Sequence, residues 1–158
     1  MSQHMLFMQE AIIEATKAYE LDETPIGAII VHNNKIIGRG HNRRNTDKNA
    51  LAHAEVLAID EACKNIGDWR LEECVIYITL EPCPMCAGAI IQARIPTVVY
   101  GASSPKSGFG GSIINVLEME LLNHRCEVVR DVCADECISL LKSYFKNMRK
   151  KTQENKEN

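Results

Sequence analysis

Val75-Ile76-Tyr77-Ile78-Thr79-Leu80-Glu81-Pro82-Cys83-Pro84-Met85-Cys86-Ala87-Gly88-Ala89-Ile90-Ile91 reads as a strand, a proline-marked turn and a helix in succession. Residues 75–79 are all β-branched or aromatic, as a buried strand requires. After Pro82 the chain is apolar and small, with Ala87, Gly88 and Ala89 allowing close approach to a sheet. Cys83 and Cys86 open that helix, where free backbone amides and the helix dipole favour thiolate charge. Two sulfur ligands are thereby aimed at one point.

Outward from this unit the same alternation continues. Upstream, Met8, Ala11, Ile12, Ala15 and Tyr19 recur at helical spacing, and Pro25 and Gly27 mark the exit. Residues 26–32 and 35–40 are β-branched runs separated by Asn33-Asn34, residues that tolerate the positive φ of a tight hairpin turn. Residues 42–51 are polar and predict a loop. A helix follows, opened by Ala52-His53-Ala54-Glu55 and apolar on two stripes. Downstream come a strand at 97–101, a Gly/Ser/Pro loop at 103–112, a short strand at 126–130 and a final helix over about 134–150. That helix sets Ile138, Leu141, Phe145 and Met148 on one stripe and Lys142, Lys146, Arg149 and Lys150 on another. Strands alternating with buried helices predict a three-layer α/β fold. We expect one domain over residues 1–151 and a polar, frayed tail at 152–158.

Composition is that of a globular chain: 158 residues, 46% hydrophobic and 25% charged, which excludes disordered, collagenous and low-complexity classes. No apolar run approaches the roughly 18 residues of a membrane span, and residues 1–13 lack a basic start, so a cytoplasmic protein is expected. The net charge of -3 gives no bulk case for a polyanion partner. Its distribution does: Lys142, Lys146, Arg149, Lys150 and Lys151 fall in a stretch of the final helix without a single acid. Screening limits such a surface to about 8–10 Å, so it can act locally on a polyanion even in an acidic chain. A solvated helix face is the plainer reading of the same residues.

The seven cysteines, an odd number, do not suggest a disulfide framework. Cys63, Cys74, Cys126, Cys133 and Cys137 are expected to be small buried hydrophobes. His53 with Cys83 and Cys86 makes a three-ligand set with a fourth position left for water, the pattern of a catalytic zinc site. Glu55, two residues from His53, can face that water without ligating the metal and serve as general base and acid. A thioredoxin-like redox pair would leave His53 and Glu55 unexplained, and a closed structural site would need Cys63 or Cys74 as fourth ligand.

His53-Ala54-Glu55 followed by Pro82-Cys83-x-x-Cys86 resembles the signature of zinc nucleobase deaminases. With residues 79–88 and Asn123-His124-Arg125, the chain is similar to the bacterial tRNA-specific adenosine deaminases from its first helix to about Arg149. The resemblance implies a cytidine-deaminase-like fold: a five-stranded mixed sheet flanked by helices, the last two strands parallel, with one zinc ion held between two helix N-termini. It implies a homodimer that deaminates adenosine to inosine at the wobble position of a tRNA anticodon. Asn42 would contact the target nucleoside and Ile26 pack beside its base, while Asn123, Phe145 and Arg149 would hold the anticodon loop. Ser104 departs from the pattern, standing where the family carries an aspartate close to a ribose hydroxyl. The same metal signature also serves guanine and deoxycytidylate deaminases, and a zinc-binding RNA module without activity would share its ligands.

Overall fold

A computed structural model describes residues 1–158. The elements run α1 (Gln3–Glu20), β1 (Gly27–His32), β2 (Lys35–His41), α2 (Ala54–Ile66), β3 (Cys74–Leu80), α3 (Pro84–Gln92), β4 (Thr97–Ala102), β5 (Glu127–Val129) and α4 (Ala134–Glu157). Asn33 and Asn34 take φ of 50° and 61°, the paired left-handed residues of a two-residue hairpin turn. The sheet order is β2-β1-β3-β4-β5, antiparallel through β3 and parallel from β3 to β5. This is the five-stranded mixed sheet that the family resemblance implies, including the parallel final pair.

Both faces of the sheet are covered, and the period of two along each strand sorts its residues between them. Ala28, Ile30, Ile76, Ile78, Val98 and Tyr100 pack toward α2 and α3; Ile29, Val31, Tyr77 and Val99 pack toward α1 and α4. The α2 layer sits unusually close to β2. A Cβ on Gly38 would stand 2.3 Å from the Ala58 carbonyl oxygen, and one on Gly40 would stand 2.2 Å from that of Ala54. Only glycine fits at these two positions, and their spacing of two keeps the N-terminal turn of α2 pressed to the sheet.

Three features differ from the sequence reading. The first helix starts at Gln3 rather than residue 8, with the Ser2 hydroxyl accepting the Met5 N–H at 3.2 Å as an N-cap. The final helix continues to Glu157, so the polar residues expected to form a frayed tail prolong it. Its inward face is also rotated by about one position. Cys137 and Tyr144 are buried with Leu141 beside them, while Ile138 and Phe145, placed on the core stripe by periodicity, are 37% and 46% exposed. Tyr144 wins the inward place because its hydroxyl donates to the Asp22 carbonyl at 3.0 Å and its ring meets Tyr19 edge-on. No helix is long and apolar enough to cross a membrane.

Candidate active site

His53 and Cys83 are the N-caps of α2 and α3, each with extended backbone and neither using its side chain as the cap. Pro84 follows Cys83 at the first helical position, where its missing N–H costs nothing. Because β1 and β3 are neighbours and α2 and α3 pack on the same sheet face, the two helix starts meet. Nδ1 of His53 lies 3.7 Å from Cys83 Sγ and 3.5 Å from Cys86 Sγ. Ligands at about 2.3 Å (sulfur) and 2.0–2.1 Å (nitrogen) from a tetrahedral zinc would be separated by about 3.6 Å, so the three atoms fit that ion. No fourth His, Cys, Asp or Glu joins the group, which disposes of the closed site with Cys63 or Cys74.

The electrostatics suit a cation. The Cys86 thiol and the His53 ring hold Cys83 well below the usual thiol range despite its burial. Cys86 is pushed up, first by its hydrogen bond to Cys83 and then by burial. A bound cation removes that opposition by taking both sulfurs as thiolates. Glu55 is buried in the first turn of α2, and burial pushes its carboxyl above the ordinary range. The other cysteines divide: Cys74, Cys126 and Cys137 are buried with their thiols pushed to about 11, 11 and 12 by desolvation, whereas Cys63 and Cys133 are half-buried.

A cavity of about 130 Å³ opens over these residues, lined by Thr24, Ile26, Asn42, Arg44, His53, Ala54, Glu55, Leu80, Glu81, Cys83 and Ser107. That is the scale of a single heteroaromatic base. Ile26 and Asn42, which the resemblance puts beside the target nucleoside, both line the cavity. Asn42 is also a turn residue: Oδ1 accepts the Arg44 N–H at 3.2 Å and Nδ2 donates to the Thr24 carbonyl at 3.3 Å.

Other expected contacts lie elsewhere. Ser104 does not line the cavity, and its hydroxyl meets it only through Ser107 Oγ at 2.8 Å. Asn123 is exposed in the turn before β5. Phe145 and Arg149 line a separate shallow groove on the outer face of α4 with Met148, Thr152, Gln153 and Lys156. The sequence reading missed Thr24, Arg44, Leu80 and Ser107. Arg44 had a signal, standing two residues after Asn42 in the loop ahead of His53; it forms no ion pair, while neighbouring Arg43 is tied to Asp47.

The MafB19-like deaminase family matches residues 2–149. The tRNA-specific adenosine deaminase of Bacillus subtilis (strain 168) is 51% identical over 158 residues, covering all of this chain and 98% of that protein. The chain belongs to the tRNA-specific adenosine deaminase family. A solved structure from a study of A-to-I editing by tRNA:A34 deaminases superposes with a TM-score of 0.82 at 39% identity, over 85% of this chain and 98% of that one. The guanine deaminase of Bacillus subtilis, a relative with the rival activity, is 40% identical but reaches a TM-score of 0.61 over 65% of this chain and 66% of its own.

Purified protein from this family member should carry about one zinc ion per chain by elemental analysis. Cys86→Ser should lose most of it, because a neutral hydroxyl replaces a buried thiolate ligand.

Proposed function

We propose that this protein hydrolytically deaminates adenosine to inosine at the wobble position of a tRNA anticodon, with zinc held by His53, Cys83 and Cys86. One observation carries the reading: a three-ligand metal group and a buried carboxylate share one base-sized cavity in a chain 51% identical to a tRNA-specific adenosine deaminase. Zinc, when bound, lowers the pKa of a coordinated water toward about 7 and so supplies the nucleophile. Glu55 takes one proton from the attacking water and delivers it to the ring nitrogen N1, then takes the second proton from the new hydroxyl on C6 and delivers it to the amino group as the C6–N bond breaks. Water and adenosine thus become inosine and ammonia. Asn42 and Ile26 orient the base, which must leave its stack for C6 to reach Glu55 and the metal group at the cavity floor.

The groove of Phe145 and Arg149 supports recognition of the flanking loop, by stacking and by phosphate contact. Arg44, unpaired in the cavity wall, is placed to meet a phosphate or ribose of the target nucleotide. Asn123 and Ser104 complete the set of proposed RNA contacts. A guanine deaminase needs neither an exposed aromatic nor a basic outer helix face, and both features favour the tRNA reading. The activity belongs to the cytoplasm, where its substrate is found.

Incubation with bulk tRNA, followed by nuclease mapping of inosine, tests the reading directly. Inosine should appear at the wobble position, and Glu55→Gln should retain zinc while its rate falls by about 10²–10⁴-fold. Xanthine from free guanine with no inosine in tRNA would favour the rival.

Lys142, Lys146 and Lys150 changed together to Gln should weaken stem-loop binding and flatten its salt dependence. On single-stranded RNA the slope of log K against log salt becomes shallower by about 0.7 for each phosphate that a lysine no longer neutralises.

We also propose a homodimer, supported by the apolar segment 113–122, which exposes Ile113, Ile114 and, at 94%, Leu121. Sedimentation equilibrium should give twice the chain mass, and Leu121→Glu should shift it toward the monomer.

A further inference from the structure

Glu81 is the one buried acid in the cavity wall that the proposed chemistry leaves unused. No Lys, Arg or His pairs with it. Its partners are all neutral donors from a single loop: Oε1 accepts the Ser104 N–H at 3.0 Å and the Ser112 hydroxyl, and Oε2 accepts the N–H groups of Gly110 at 2.9 Å and Ser112 at 3.0 Å. The next residue joins in, since the Pro82 carbonyl accepts the Phe109 N–H at 2.9 Å. Gly108 is required by the same arrangement, because a Cβ there would stand 2.3 Å from the Glu81 carboxylate. The loop is thus wrapped around one side chain, and that side chain sits two residues before Cys83.

The inner side of the loop presents Ser107, which lines the cavity along with Cys83 and Glu55, and the Ser104 hydroxyl backs it at 2.8 Å. We propose that Glu81 is a positioning residue that fixes the 104–112 loop against the Cys83 segment, so that the Ser107 hydroxyl meets the sugar or base of the bound nucleoside. This rests on the deaminase reading above. The physical case is one of donors and acceptors: a carboxylate offers only acceptors to four converging donors, whereas an isosteric amide turns one oxygen into a donor facing N–H groups. Glu81→Gln therefore keeps the volume and breaks at least one side of the wrapping. Glu55 and the metal ligands stay on their helices, so the defect falls on substrate capture.

Single-turnover deamination of a tRNA anticodon stem-loop by zinc-loaded protein reads this as a double-substitution cycle. Ser107→Ala should raise the half-saturating enzyme concentration about 5-fold, the size of one neutral hydrogen bond. Glu81→Gln should raise it about 10-fold or more, with the maximal rate within about 3-fold and zinc content unchanged. In the double variant the Ser107 effect should disappear, since the loop has already moved the hydroxyl away. Multiplicative effects on half-saturation, or a Glu81→Gln defect confined to the maximal rate, would overturn the proposal. Should Glu81→Gln fail to fold, Ser112→Ala takes its place in the cycle, removing one donor to the carboxylate, and the same non-additivity is required. Absence of inosine with the unsubstituted protein is a separate result, overturning the deaminase reading and the role of Glu81 together.

Discussion

Two helix N-termini held against one sheet face are the constraint on which the site depends. His53 and Cys83 are both caps, so each ligand's place is set by where its helix starts, and each start is set by how the helix meets the sheet. For α3 this follows from the short β3–α3 turn. For α2 it follows from Gly38 and Gly40, whose missing side chains let two turns of helix rest on the β2 backbone. A helix displaced by one methyl group would carry His53 and Glu55 with it, and the 3.5–3.7 Å separations among the ligand atoms leave little room for that. Packing of apolar surface therefore fixes polar chemistry.

The walls of the cavity are loops, and each is secured by a buried carboxylate. Glu23 accepts the N–H groups of Asn45 and Thr46, pinning the segment that carries Asn42 and Arg44. Glu81 does the same for the segment that carries Ser104 and Ser107. Loops of irregular backbone leave N–H groups without ladder partners, and an anion with several acceptor sites satisfies them at one point. Hydrogen bonds from Ser112, Ser104 and Gly110, in place of a paired cation, hold the Glu81 carboxyl below its ordinary range despite its burial. Rigid ligands on helix starts and shaped walls on anion-held loops divide the site's work between metal binding and substrate recognition.

The outer face of α4 adds a surface apart from the cavity. Tyr144 turns inward to Asp22 and Tyr19, which leaves Phe145 outside with Arg149 along the groove. An aromatic ring beside a guanidinium, continued along the helix by Gln153 and Lys156, is suited to bases splayed from a loop and to their phosphates.

Local chemistry made much of this legible in the sequence. Asn33-Asn34 announced the hairpin because few residues accept two left-handed positions in succession, and His53, Cys83 and Cys86 announced the metal group, with Glu55 beside it, because their spacing sets side-chain direction within a helical turn. The tertiary structure decided what depends on distant partners. Periodicity placed Phe145 inward, yet Tyr144 took that place through contacts more than 120 residues away in the chain. No local spacing announces the role of Glu81, because the amides it gathers come from a loop 23–31 residues later. Ser107 gained its position in the wall by the same long-range wrapping. Residue type and short spacing are printed in the chain; hydrogen-bond partners across a loop, and the choice between two adjacent aromatics for one inward place, exist only once the sheet and helices have been brought together.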